Sequence, residues 1–210
     1  MNDEIFLQEK RKYEKVWGNE QYRVTSPGNS SVADFLSFIK FKKLPSDSLI
    51  DFGCGTAIAA IPFLEAGFKV SLVDIAENCL NDNIRVLTFL SPELITFFLA
   101  PLWELPSSLE KSDWIYCIDV LEHLPPERVD KSLSEMAKKT KKGGALQVFL
   151  LDEEMGRRIG ETLHLTIRPL DWWLDKISHY WHVEEVHAII PGIRYCIYVG
   201  SPKVVAALCQ

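Results

Sequence analysis

Between residues 46 and 201, short apolar runs alternate with longer stretches whose apolar residues recur every three or four positions, the pattern of buried strands interleaved with amphipathic helices. The runs at 49–52, 69–74, 95–99, 114–119 and 145–151 predict strands. They are apolar almost throughout, as expected where a parallel sheet is covered on both faces. Helices are expected over 57–65, closed by Gly67, around 77–87, and over 126–140, closed by Gly143-Gly144, because glycine readily takes the left-handed conformation that ends a helix. A further helix over 169–179 precedes two strands, 182–190 and 194–200, joined by Pro191-Gly192. So short a turn permits only an antiparallel pair. The pattern therefore predicts an α/β fold: a seven-stranded, mostly parallel sheet with an antiparallel last strand and helices on both faces.

Residues 1–45 carry no strand pattern. Ile5, Phe6, Tyr13, Val16 and Trp17, then Phe35, Leu36, Phe38 and Ile39, predict two amphipathic helices. Pro27-Gly28 marks the turn between them, with Ser30 or Ser31 as a helix cap. This segment reads as an N-terminal helical cap or lid on a single unit, residues 46–210.

The first strand runs into Asp51-Phe52-Gly53-Cys54-Gly55-Thr56-Ala57, and nineteen positions after Gly55 the second strand ends on Asp74. Glycines let the backbone pass close to a ligand, and the following helix presents N–H groups to negative charge. An acidic residue at the tip of the next strand is placed to bind ribose hydroxyls. The combination predicts a cleft for an adenosine-containing cofactor. A dinucleotide fingerprint would need glycine where Ile58 stands, and the Asp51 carboxylate would repel a pyrophosphate. It suits instead a cofactor bearing an ammonium and a sulfonium.

These residues resemble the class I S-adenosylmethionine-dependent methyltransferases, whose first motif runs Asp/Glu-x-Gly-x-Gly and whose second strand ends in an acidic residue. The resemblance covers roughly residues 46–201 and implies a Rossmann-like sheet with S-adenosylmethionine as cofactor. Ala57 stands where that family often has a third glycine. Asp119-Val120-Leu121-Glu122-His123-Leu124 resembles the Val-Leu-Glu-His-Leu stretch of many small-molecule members.

In an open α/β sheet the ligand lies beyond the carboxyl ends of the strands. The expected cofactor residues are accordingly Asp51, Gly53, Cys54, Gly55, Asp74, Ile75 and Asp119. Leu102 and Trp103 would wall the base or serve simply as core, and Arg23 could reach the methionine carboxylate. His123 and His164 are the candidate bases, since an imidazole near its reference pKa can take a proton from a hydroxyl or amine. Methyl transfer can also proceed by alignment alone. Tyr13, Trp17, Tyr22, Glu122, Arg168 and Trp172 are candidate substrate contacts, the aromatics being equally suited to packing.

Five cysteines without Cys-x-x-Cys spacing read as reduced core residues, so neither a disulfide frame nor a metal site is expected. A net charge of −6 makes nucleic acid an unlikely partner, and the clusters Lys10-Arg11-Lys12 and Lys138 to Lys142 read as solvated helix surface. No apolar run reaches the ~18 residues of a membrane span, and the acidic start is unlike a signal peptide, so a cytoplasmic address is expected. The expected activity is methyl transfer to an O or N atom of a small polar molecule such as a sugar or metabolite. The alternatives are a protein or nucleic-acid methyltransferase, or a catalytically silent S-adenosylmethionine-binding domain.

Overall fold

The computed structural model describes residues 4–24 and 27–203; Met1-Asn2-Asp3, Thr25-Ser26 and Cys209 lie outside the described residues. Three helices come first, α1 (Glu4–Trp17), the short α2 (Glu20–Arg23) and α3 (Val32–Ile39). The alternating portion follows as β1 (Ser48–Phe52), α4 (Ala60–Glu65), β2 (Lys69–Asp74), α5 (Asp82–Leu90), β3 (Ile95–Leu99), β4 (Ser112–Ile118), α6 (Val129–Lys138) and β5 (Thr140–Phe149). Helices α7 (Glu154–Ile159) and α8 (Leu170–Ser178) lead to β6 (Trp181–Ile190) and β7 (Arg194–Pro202).

The strands form one sheet in the order β3-β2-β1-β4-β5-β7-β6. Only β7 runs against its neighbours, pairing antiparallel with both β5 and β6. The alternation of side chains across each strand divides the core in two. Leu49 of β1 and Trp114 and Tyr116 of β4 meet Phe35 of α3 and Phe63 of α4, while Ile50, Phe52, Ile115 and Cys117 meet Leu133 and Met136 of α6 and Trp173 of α8. The central strands β1, β4 and β5 are thereby covered on both faces and buried, as their apolar composition implies, whereas the edge strand β6 is exposed along most of its length.

Several boundaries move. Helix α4 starts at Ala60 and not at residue 57, because Gly53, Gly55 and Ala57 all take left-handed φ values of 70°, 51° and 56°, which no helix can contain. Helix α5 starts at Asp82, where Asn81 caps it by accepting the Asn83 N–H. Gly143-Gly144 does not end a helix. It lies inside β5, where a Cβ on Gly144 would stand 2.1 Å from the Ile115 carbonyl oxygen and one on Gly143 2.1 Å from that of Val199. Glycine is present because two neighbouring strands approach too closely for any side chain.

The N-terminal segment divides in its packing. Helix α3 contributes Phe35 and Ile39 to the core, with Phe35 against Phe63, Trp114 and Tyr116. Helices α1 and α2 carry Trp17 and Tyr22 to the carboxyl ends of the strands. Ser31 stands at the start of α3 but makes no capping bond; its hydroxyl donates to Gln147 of β5 at 2.8 Å. The basic clusters are less solvated than expected. Lys12 turns inward to Glu9 at 2.5 Å with both side chains buried, and Lys142 pairs with Asp47 at 2.6 Å. Cys54, Cys79, Cys117 and Cys196 are buried free thiols. Among the described residues no helix is long and apolar enough to cross a membrane.

Candidate active site

The left-handed turn after β1 opens the floor of a cavity at the carboxyl ends of the parallel strands. Gly53 is needed there for a second reason: a Cβ would stand 2.5 Å from a methyl of Val120. Asp74, at the tip of β2, secures the turn by accepting the Gly55 N–H at 2.9 Å, and also accepts the Ala76 N–H at 2.9 Å. Burial pushes its carboxyl up to about 6 against the pull of those backbone bonds. Asp51 is buried on the same side, and desolvation, then the charge of Asp74, raises it to about 8. Among the described residues neither carboxyl has an ion-pair partner, and such a site favours a positively charged guest.

Two cavities meet above this floor, sharing Trp17, Tyr22, Gly53, Asp119 and His123. The smaller, about 90 Å³, is lined by Asp74, Ile75, Leu102, Trp103, Tyr13 and Glu9. The larger, about 340 Å³, takes in Asp51, Cys54, Gly55, Arg23, Glu122 and His164. All ten expected cofactor residues thus border one cavity or the other. Arg23 does so with its guanidinium already committed to the carbonyls of Trp17, Asn78 and Leu80, so it clamps the cap onto the loop after β2.

The segment after β4 is tightly built. Asp119 holds a left-handed φ of 53°, a conformation that Asp tolerates better than most residues. Its carboxylate accepts from Gln147 Nε2 at 3.0 Å and lies 3.2 Å from the Arg194 guanidinium, yet burial still raises its pKa. Glu122 is fully buried, accepts the Phe149 N–H at 3.0 Å, and is pushed well up by burial and by Asp119. His123 is lowered to about 3, chiefly by burial and then by His164. An ascending rate limb near neutrality, expected if His123 titrates like a free imidazole, therefore has no basis in this environment. His123 and His164 meet edge to face with centroids 4.6 Å apart. Their Nδ1 atoms lie against the carbonyl oxygens of Leu163 at 3.1 Å and Leu151 at 2.6 Å.

Arg168 and Trp172, expected in the substrate wall, line neither of these two cavities. Trp173 is buried, and its neighbour one position back is carried about 100° round the helix. Trp172 packs against Trp173 instead, with the exposed Arg168 over its ring. Conversely, Arg194, Gln147, Glu153 and Glu9 border or support the site without having been expected there. Arg194 was accessible to the same rule that found the others: because β7 is reversed, its first residue lies at the carboxyl edge of the parallel strands, opposite Phe149.

The profile of the methyltransferase domain family matches residues 23–188, most of the chain. The chain belongs to this family. The cofactor that the resemblance implies is S-adenosylmethionine, and the buried Asp51 and Asp74 line the two joined cavities. Among curated proteins it is similar to the ubiquinone biosynthesis O-methyltransferase of Rickettsia conorii, 29% identical over 112 residues, which is 50% of this chain and 36% of that protein. The chain thus spans about a third of the relative it matches. Among solved structures, the magnesium protoporphyrin IX methyltransferase of Synechocystis with bound S-adenosylhomocysteine has a TM-score of 0.63 at 19% identity, covering 91% of this chain and 93% of that one. The 1,6-didemethyltoxoflavin-N1-methyltransferase of Burkholderia thailandensis has a TM-score of 0.63 at 15% identity, covering 95% and 86%. At such identities these likenesses speak for the fold.

Proposed function

We propose that this methyltransferase transfers the methyl group of S-adenosylmethionine to an oxygen or nitrogen of a small polar molecule, in the cytoplasm. The observation that carries the reading is the join of the two cavities at Gly53, Asp119 and His123 beneath Trp17 and Tyr22. The cofactor supplies an electrophilic methyl group. In this reading Asp74 holds the ribose hydroxyls, Asp51 faces the ammonium, Leu102 and Trp103 flank the base, and α1 and α2 act as the lid. Enclosure by the lid excludes water and aligns the acceptor, which is how a transfer of this kind gains most of its rate. His123 and Glu122 shape the acceptor end. With His123 neutral down to about pH 3, its contribution is orientation and not storage of a proton at neutrality.

Four carboxyls border the larger cavity, Asp51, Asp119, Glu122 and Glu153, against Arg23 and Arg194. With two arginines the lining offers a phosphate backbone no concentrated basic face, which weighs against the nucleic-acid alternative. An oxygen acceptor is favoured over nitrogen by the O-methyltransferase relative. The test is incubation with methyl-labelled cofactor and a panel of small hydroxyl and amine compounds. Labelled small-molecule product is expected. Cofactor binding with no transfer to any compound would instead identify a silent binding domain, and label on protein or nucleic acid would identify a macromolecular enzyme.

A further inference from the structure

We propose that Glu122, His123 and His164 together bind one divalent first-row transition-metal ion at the acceptor end of the larger cavity. One ligand-capable atom from each lies within 4.8 Å of the others. Ligands about 2.1 Å from a common ion stand at most about 4.2 Å apart, so adjustments of under about 1 Å complete the set. A ring nitrogen facing a carbonyl oxygen carries the hydrogen, so the Leu163 and Leu151 carbonyls place it on Nδ1 of the two rings. His164 then keeps an Nε2 lone pair for a ligand, while the His123 ring also bonds the Asp119 backbone and has to release one of its backbone bonds to ligate. Anchoring the second ring nitrogen on a carbonyl is also what orients histidines that ligate metals.

Glu122 supplies the second, independent observation. Its side chain is fully buried, Oε1 takes the Phe149 N–H, and Oε2 has no hydrogen-bond partner among the described residues. A buried carboxylate oxygen left unpaired is destabilising unless a cation meets it. Two imidazoles and one carboxylate, with further coordination positions open toward the cavity, are a donor set for zinc or iron(II). The cluster of Cys54, Asp74 and Cys79 is less suited, because both Asp74 oxygens already accept backbone N–H groups.

The role of the ion rests on the methyl-transfer reading. It would hold a hydroxyl oxygen of the acceptor and lower its pKa, so that the proton passes to solvent. The oxygen lone pair then forms the O–CH3 bond as the S–CH3 bond breaks. The electron pair of that bond stays on sulfur, which changes from sulfonium to neutral thioether. The substrate class is accordingly a small molecule with a hydroxyl beside a second oxygen donor, able to chelate.

The experiment is titration of the metal-stripped full chain with Co²⁺, read by visible absorption and calorimetry. One equivalent should bind with a Kd of about 10 μM or tighter. Glu122→Gln and His164→Ala should each weaken it at least about 10-fold, while His187→Ala, at an exposed histidine paired with Glu185, leaves it unchanged. Affinity for S-adenosylhomocysteine checks that each variant is folded. Should either variant fail to fold, hyperfine-shifted imidazole N–H signals from two histidines in the Co²⁺-loaded wild type provide the same test. No saturable binding below about 1 mM, or binding that both site variants retain, overturns the proposal. If S-adenosylhomocysteine binds and Co²⁺ does not, the metal site falls and the methyltransferase reading stands; Co²⁺ binding without S-adenosylhomocysteine binding does the reverse.

Discussion

If Asp51 meets the cofactor ammonium, cofactor binding is a proton-linked event. Its carboxyl is raised from 3.8 to about 8 in the ligand-free protein, by burial first and Asp74 second. At about pH 6 only ~1% of it is ionised, and at about pH 7.5 ~24%, so if the ionised form meets the cofactor ammonium, affinity should rise about 25-fold across that window, or ~1.9 kcal/mol. Asp74, at about 6, adds no more than about 2-fold over the same range. The sign for stability is opposite. A folded carboxyl raised above its unfolded value stabilises the ligand-free fold at acid pH, and that stabilisation is lost as pH rises through about 8. Calorimetry with S-adenosylhomocysteine at about pH 7, in two buffers of different ionisation heat, should show close to one proton released per molecule bound. Asp51→Asn should flatten both the pH dependence and the buffer dependence, and raise ligand-free stability at about pH 8 by a few kcal/mol. Affinity that is level between pH 6 and 7.5, with heats independent of buffer, would refute the assignment of Asp51 to the ammonium.

Gly53→Ala should destabilise by about 2–4 kcal/mol in urea unfolding, from left-handed backbone strain plus collision with Val120, and the Val120→Ala double variant should recover the collision but not the strain. Asp74→Ala should weaken S-adenosylmethionine binding by about 1.5–3 kcal/mol and also lower the melting temperature, because the Gly55 and Ala76 N–H groups lose their acceptor. Unchanged affinity in a folded Asp74→Ala variant would remove Asp74 from the site. Gly144→Ala should destabilise by about 2–4 kcal/mol, read by thermal unfolding, since its Cβ would stand 2.1 Å from the Ile115 carbonyl oxygen and 2.4 Å from Ile115 Cγ1, and backbone in a central strand cannot yield.

Local chemistry was legible in the sequence. The apolar runs become strands because a two-faced sheet admits little else, and Pro191-Gly192 reverses the last strand because so short a link allows no crossover. The glycine turn and Asp74 lie within one β1-α4-β2 unit with β1 and β2 paired in parallel, so their spacing alone brought them together at one end of the sheet. Tertiary structure decided what depends on distant segments and on desolvation. Arg194 reaches Asp119 only because β7 lies beside β5, and His164 meets His123 only through the path taken after β5. Trp172 looked the equal of Trp173 in sequence, yet one helical position put it outside the site. The protonation of Asp51 and His123 was not legible at all, because a pKa follows from the water that neighbours exclude, and those neighbours come from the whole chain.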